Sequence, residues 1–171
     1  MNTLIVSSSL SKSSRSFLLC KAVEKQLIDK GVTITFIDAR EIPMKPCHLG
    51  VTPEMENLTK LINKTDNIII GMGVHCYSVN DSLKILLDNC FGGVGGKFFG
   101  ILCTAGGERS YLSAMHLTQI CMNEWRMIQL PRIVYATGKD FTEDVISSTE
   151  VLERIQIFSD EFNTIGKKLI A

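Results

Sequence analysis

The sequence predicts an α/β fold, a doubly wound sheet of five parallel strands in the order 2-1-3-4-5 with helices on both faces. Two observations predict it. Five short apolar runs alternate with five segments of helical character along the chain. Runs such as TLIVSS, DNIIIGMG and KFFGILCT are apolar at consecutive positions rather than every second one, which is the pattern of strands covered on both faces. No repeat, low-complexity tract or linker interrupts this alternation, so residues 1–171 read as one domain.

The first element, TLIVSS (residues 3–8), is short, apolar and β-branched and ends in a serine cluster, as a buried strand does. A helix follows, with Leu19, Val23 and Leu27 four residues apart and Gly31 as its stop. VTITFID (32–38) is the second strand, and the three prolines of residues 40–53 make the next stretch a loop. Pro53 opens a helix over 53–64, because proline at the first helical position lacks only an N–H that would be unpaired anyway. DNIIIGMG (66–73) is the third strand and SLKILLDNCF (82–91) the third helix. After the turn GGVGG, KFFGILCT (97–104) is the fourth strand. Residues 111–125 read as helix, LPRIVYA (130–136) as the fifth strand, and 147–169 as the last helix. In that helix Val151, Ile155, Phe158, Phe162, Ile165 and Leu169 alternate four and three apart, an apolar stripe for docking.

Composition narrows the function classes. Apolar residues make up 45% and charged residues 21% of the 171 residues, ordinary values for a domain with a substantial core. Lys plus Arg balance Asp plus Glu at 18 each, so no net field favours nucleic acid or an anionic membrane. The start, MNTLIVSSSL, lacks the basic region and long apolar stretch of a signal peptide, and no run approaches the roughly 18 apolar residues of a membrane span. A cytoplasmic protein is expected. The six cysteines contain no Cys-x-x-Cys pair and read as free thiols. Cys47-His48 and His75-Cys76 are adjacent pairs whose side chains diverge on an extended chain, so no metal site is expected.

In the order 2-1-3-4-5 the loops after strands one, three and four meet where the winding reverses, and a ligand binds there. The first loop, SSSLSKSSRS (7–16), is serine-rich, carries Lys12 and Arg15, and opens a helix; free amides, positive potential and hydroxyls together suit a phosphate. It lacks the Gly-Lys-Ser/Thr of a nucleoside-triphosphate loop. The same serines would also serve a plain helix-capping turn. The second loop, GVHCYSVNDS (73–82), brings the rings of His75 and Tyr77 to a strand end, where they can lie along a planar ligand; alternatively Tyr77 packs on the helix and Asn80 or Asp81 caps it. In the third, LCTAGGERS (102–110), Gly106 and Gly107 permit close approach of backbone to ligand, and Arg109 can donate to anionic or carbonyl oxygens; alternatively the stretch is a plain turn with Arg109 a solvated surface charge.

Cys103 and Arg109 in that third loop also fit the Cys-x5-Arg-Ser spacing of the cysteine-dependent phosphatases, in which a thiolate attacks phosphorus. That reading lacks a preceding His, since Leu102 stands there, and lacks an acid loop. It also leaves the first two loops without a role.

The three loops together resemble those of the NADPH-dependent FMN reductase family, flavodoxin-like proteins that include quinone, azo-dye and chromate reductases. Where the family has Gly-Ser-x-Arg-x-x-Ser-x-Asn, this chain has Ser8 through Ser16; Ser9 and Ser14 match, while Ser8, Ser11 and Ser16 replace Gly, Arg and Asn. Against Pro-Glu-Tyr-Asn-Tyr-Ser and a following Leu-Lys and Asp, Tyr77, Ser78, Leu83, Lys84 and Asp88 match. Thr104-Ala105-Gly106-Gly107 fits the family's Ser/Thr-x-Gly-Gly. The resemblance implies bound FMN, with NADPH or NADH as donor and hydride transfer through the flavin to a flavin, quinone or azo-type acceptor. The implied flavin-binding residues are Ser9, Ser11, Ser14, Arg15 and Ser16; Val74, His75, Cys76, Tyr77 and Ser78; and Thr104, Ala105, Gly106, Gly107 and Arg109. No catalytic side chain is implied, since the chemistry belongs to the cofactor. A homodimer or homotetramer is expected, because Met115, Ile120, Met122 and Trp125 cannot all face one sheet at 3.6 residues per turn. A flavodoxin-type electron carrier is the alternative within the same fold, disfavoured by the zero net charge. A relative without cofactor that serves as an interaction module is another.

Overall fold

A computed structural model describes Met1–Ala171. Its elements follow one another as β1 (Asn2–Ser7), α1 (Arg15–Asp29), β2 (Thr33–Asp38), α2 (Pro53–Lys64), β3 (Asn67–His75), β4 (Ser78–Val79) and α3 (Asp81–Cys90). Then come β5 (Phe98–Ala105), α4 (Ala114–Trp125), β6 (Ile128–Gln129), β7 (Val134–Thr137), β8 (Phe141–Thr142), β9 (Val145–Ile146) and α5 (Thr149–Leu169). The helices begin where the sequence offers a side-chain acceptor to an otherwise unpaired amide. Ser14, Thr52 and Ser148 accept from the N–H groups of Phe17, Met55 and Val151. Pro53 stands in the first turn of α2 as expected.

The main sheet runs β2-β1-β3-β5, and β6 and β7 then follow one another end to end along the far edge of β5, all parallel. The order read from the sequence is therefore the order of the fold. Alternate side chains sort to two cores. Leu4, Val6, Ile68, Ile70, Met72, Phe99, Ile101 and Cys103 meet α2, α3 and α4 on one face. Ile5, Ile69, Leu102, Val134 and Ala136 meet α1 and α5 on the other. Because β2 and β3 lie on opposite sides of β1, the chains leaving β1 and β3 diverge and open a crevice at their carboxyl ends.

Two glycines set how closely the second layer approaches. A Cβ on Gly71 would lie 2.2 Å from Cys20 Sγ, so its absence lets α1 sit against β3. A Cβ on Gly100 would lie 2.5 Å from the Phe158 ring, which is itself packed on Phe162, whose ring centroid is 5.0 Å from that of Phe98.

Three local features depart from the sequence reading. The fifth strand, expected over 130–136, is broken: β6 pairs with Phe98 and Phe99, β7 with Leu102 to Ala105, and Leu130 donates to the Phe99 carbonyl between them. Pro131 has no N–H to continue the ladder. The helix expected over 111–125 begins as a 3-10 turn (Glu108–Ser113) and becomes α-helical at Ala114. Two short hairpins, β3–β4 and β8–β9, lie in stretches read as loop.

Candidate functional site

The loop from Ser8 to Ser14 joins β1 to α1 at the crevice. Its root is pinned by a buried polar network. The Ser8 hydroxyl donates to the Gly71 carbonyl (2.7 Å), with Asn80 Oδ1 a second acceptor at 3.0 Å. Asn80 Nδ2 donates to the Ser8 carbonyl (3.1 Å) and to Ser82 Oγ (2.7 Å), the Ser82 hydroxyl donates to the same carbonyl (2.6 Å), and Gly73 N–H donates to Asn80 Oδ1 (3.3 Å). Asn80 thus precedes α3 without capping it by its side chain; the side chain instead ties the first loop to the end of β3. Serine at position 8 is explained by the same bonds.

Beyond this root the N–H groups of Lys12 through Ser16 have no partner within the chain, as expected for a loop running into the first turn of a helix. These amides, the positive end of α1 and the Arg15 guanidinium make a cradle for an anion. Ser14 takes part less directly than its place in the motif suggests, because its hydroxyl caps α1 and lies 3.1 Å from Ser16 Oγ. Arg15 makes no ion pair; its guanidinium carbon stands 5.8 Å from the Phe141 ring centroid. A cavity of about 320 Å3 adjoins the loop, and Ser9, Ser11, Ser13, Ser14, Arg15, Ser16, Gly73, Thr104 and Ala105 line it. Three separate loops therefore converge, as the fold requires.

The second loop is a hairpin. His75 pairs with Ser78, and the two residues between them, Cys76 and Tyr77, both take positive φ (47° and 58°), as a type I′ hairpin turn demands. Neither is a glycine, so the turn carries backbone strain, a common feature of ligand-binding sites. It raises the exposed Tyr77 ring beside a second cavity of about 550 Å3, also lined by Gly106, Gly107, Glu108, Arg109, Ser110, Thr137 and Lys139.

The third loop continues from the end of β5. Tyr135, on β7, donates from its hydroxyl to the Gly107 carbonyl (2.6 Å) and packs edge-on against Tyr111. The Gly106-Gly107 backbone is thereby held from below. Burial raises the Tyr135 pKa, so its hydroxyl remains a donor at neutral pH. Lys139 pairs with Glu108 across the outer rim. Arg109 is exposed and bonded to nothing in the chain.

Of the residues expected to form the site, Ser9, Ser11, Ser14, Arg15, Ser16, Thr104 and Ala105 line the first cavity, and Tyr77, Gly106, Gly107 and Arg109 the second. Val74, His75, Cys76 and Ser78 build the hairpin and line neither. Ser78 Oγ is engaged with His116 Nδ1 (3.0 Å), and His75 Nδ1 lies 3.7 Å from Asp81. The sequence reading missed Ser13, Leu18, Gly73, Tyr135, Glu143 and Asp144. Glu143-Asp144 sits between Phe141-Thr142 and Val145-Ile146, a weak hairpin signal in the sequence.

Cys103 cannot serve as a nucleophile. It is fully buried among the side chains beneath α3 and α4, and burial pushes its thiol up to about 12. A thiolate phosphatase needs the opposite shift.

The family model described as NADPH-dependent FMN reductase matches residues 1–142. Among solved structures, an NADH:FMN oxidoreductase in its apo form superposes with a TM-score of 0.82 at 14% identity, over 96% of this chain and 89% of that one. An oxidoreductase from Corynebacterium diphtheriae gives 0.77 at 19% identity, over 98% and 97%. A flavoenzyme NAD(P)H:(acceptor) oxidoreductase from Paracoccus denitrificans gives 0.77 at 16% identity, over 98% and 97%. At these identities the likeness shows the shared flavodoxin-like fold. By sequence, no curated protein matches.

Proposed function

Since the chain belongs to the NADPH-dependent FMN reductase family, we propose that it uses FMN to carry electrons from NADPH or NADH to a small-molecule acceptor such as a quinone, an azo compound or free flavin. The observation that supports this most is the cavity at the carboxyl ends of β1, β3 and β5, where unpaired amides of Lys12–Ser16, serine hydroxyls and one arginine converge. Those donors suit the flavin phosphate. The ring system would lie along the second cavity, with the Gly106-Gly107 backbone against it and Tyr77 at its edge; the two glycines leave that surface free of side chains.

Bound FMN supplies the two-electron chemistry. The chain's own contributions are positional. Arg15 and the α1 amides fix the phosphate end. Asn80 holds the first and second loops in register, and Tyr135 holds the third. No protein acid or base is required for the hydride step.

The absorbance spectrum of the purified protein and an equilibrium FMN titration test the reading. Arg15→Ala should weaken FMN binding at least tenfold, about 1.5–3 kcal/mol for a lost charge-assisted hydrogen bond. Riboflavin, which lacks the phosphate, should bind the variant as it binds the parent. Equal affinity of Arg15→Ala and the parent for FMN would remove the phosphate from this loop.

We further propose a homodimer or larger assembly. On α4, Leu117 and Cys121 face the core while Met115 and Met122 are each 47% exposed, an apolar strip along a helix beside the site. Light scattering at micromolar concentration should give at least twice 19.0 kDa; a mass near 19.0 kDa refutes it.

A further inference from the structure

The cavity that suits a phosphate is lined by two carboxylates as well as by donors. Glu143 and Asp144, the turn residues between β8 and β9, line it together with Ser9, Ser11, Arg15 and Ser16. The turn follows directly on the segment that the family model matches, which ends at residue 142. Neither carboxylate is neutralised: no lysine, arginine or histidine approaches either within 4.0 Å, and neither accepts a hydrogen bond within the chain. Both are exposed.

The same hairpin also positions the only arginine of the cavity. Phe141, the first residue of β8, lies under the Arg15 guanidinium. A Cβ added to Gly138, just before the hairpin, would stand 3.2 Å from Arg15 Nη1. One short structural unit therefore sets both the attractive and the repulsive charge that an incoming anion meets. Glu143, the first residue of this two-residue turn, takes φ of +53°, as such hairpin turns do.

We propose that Glu143 and Asp144 are specificity-determining residues for the flavin, whose charge opposes its phosphate and narrows the preference for FMN over riboflavin. The proposal rests on the flavin reading above. A phosphate dianion in the cradle gains the amides and Arg15 but shares the cavity with the Glu143 and Asp144 carboxylates. Riboflavin offers the same ring without the phosphate and escapes that opposition. The carboxylates narrow the advantage that the cradle would otherwise give FMN over riboflavin.

The test is fluorescence titration of FMN and of riboflavin against the parent and E143Q/D144N, the substitutions keeping size and removing charge. FMN affinity should rise about five- to tenfold in the variant, with riboflavin affinity unchanged within about twofold. An unchanged FMN affinity overturns the proposal. So does an equal gain for both flavins, which would place the effect in the shape of the turn rather than its charge. E143K tests the sign independently and should tighten FMN further; a weaker FMN complex in E143K overturns the proposal as well. If neither parent nor variant binds either flavin, the flavin reading itself falls and takes this proposal with it, an outcome distinct from flavin binding that ignores the carboxylates.

Discussion

Asn80→Ala is expected to lower stability by about 2–4 kcal/mol and to weaken FMN binding in the same protein. The side chain is 1% exposed and bonds to Ser8, Gly73 and Ser82, so truncation takes a donor from both the buried Ser8 carbonyl and the buried Ser82 hydroxyl and leaves the half-buried Gly73 N–H without its acceptor. Unsatisfied buried groups of this kind cost about 1–3 kcal/mol each. The effect on flavin follows from geometry: the bonds to Ser8 are what hold the root of the phosphate loop against the end of β3. Urea unfolding should show a lower midpoint at unchanged slope, and FMN titration of the folded variant a weaker complex. A loss below about 0.5 kcal/mol would mean that water replaces the amide and that the network is not what joins the loops.

Gly100→Val is expected to cost a similar amount, about 2–4 kcal/mol, for a different reason and with a different consequence. The added Cβ meets the Phe158 ring at 2.5 Å, and that ring is confined by Phe162 and the sheet, so α5 must move outward or the strand must bend. Overpacking of a close-packed interior costs about 1–3 kcal/mol per insertion of this kind, and valine adds two further methyl groups. Thermal unfolding should fall by about 5–15 °C for a chain of this size. FMN affinity measured well below the transition should stay near that of the parent, because Gly100 lies near the start of β5 and the site at its end. A variant that melts as the parent does would show that Phe158 has room to turn aside. The pair of variants separates stability from site: Asn80→Ala should change both, Gly100→Val only the first.

Much of this architecture is legible without coordinates. Strands β1, β3 and β5 are apolar at consecutive positions because both faces of a parallel sheet are covered, and such runs are hard to mistake for a half-exposed strand. Gly31, Pro53 and the serines before α1 mark helix ends through backbone chemistry that acts over three or four residues. The serine loop and Gly106-Gly107 could be assigned to one site because the order 2-1-3-4-5 brings their strands together.

The sequence was silent where an interaction joins distant segments. Asn80 reads equally as a helix cap, and only the fold turns its side chain toward Ser8, 72 residues away. Cys103 and Arg109 fit a phosphatase spacing, and only burial, which no spacing records, holds the thiol protonated. Glu143 and Asp144 lie more than 125 residues from Arg15 along the chain and share a cavity with it. The local code of caps, turns and periodicity determined which segments are strands and helices, because those energies arise between near neighbours. Which charges face one another across the crevice was decided by the packing of α1, β5 and the β8–β9 hairpin, because Coulomb and hydrogen-bond energies depend on separation in space and not along the chain.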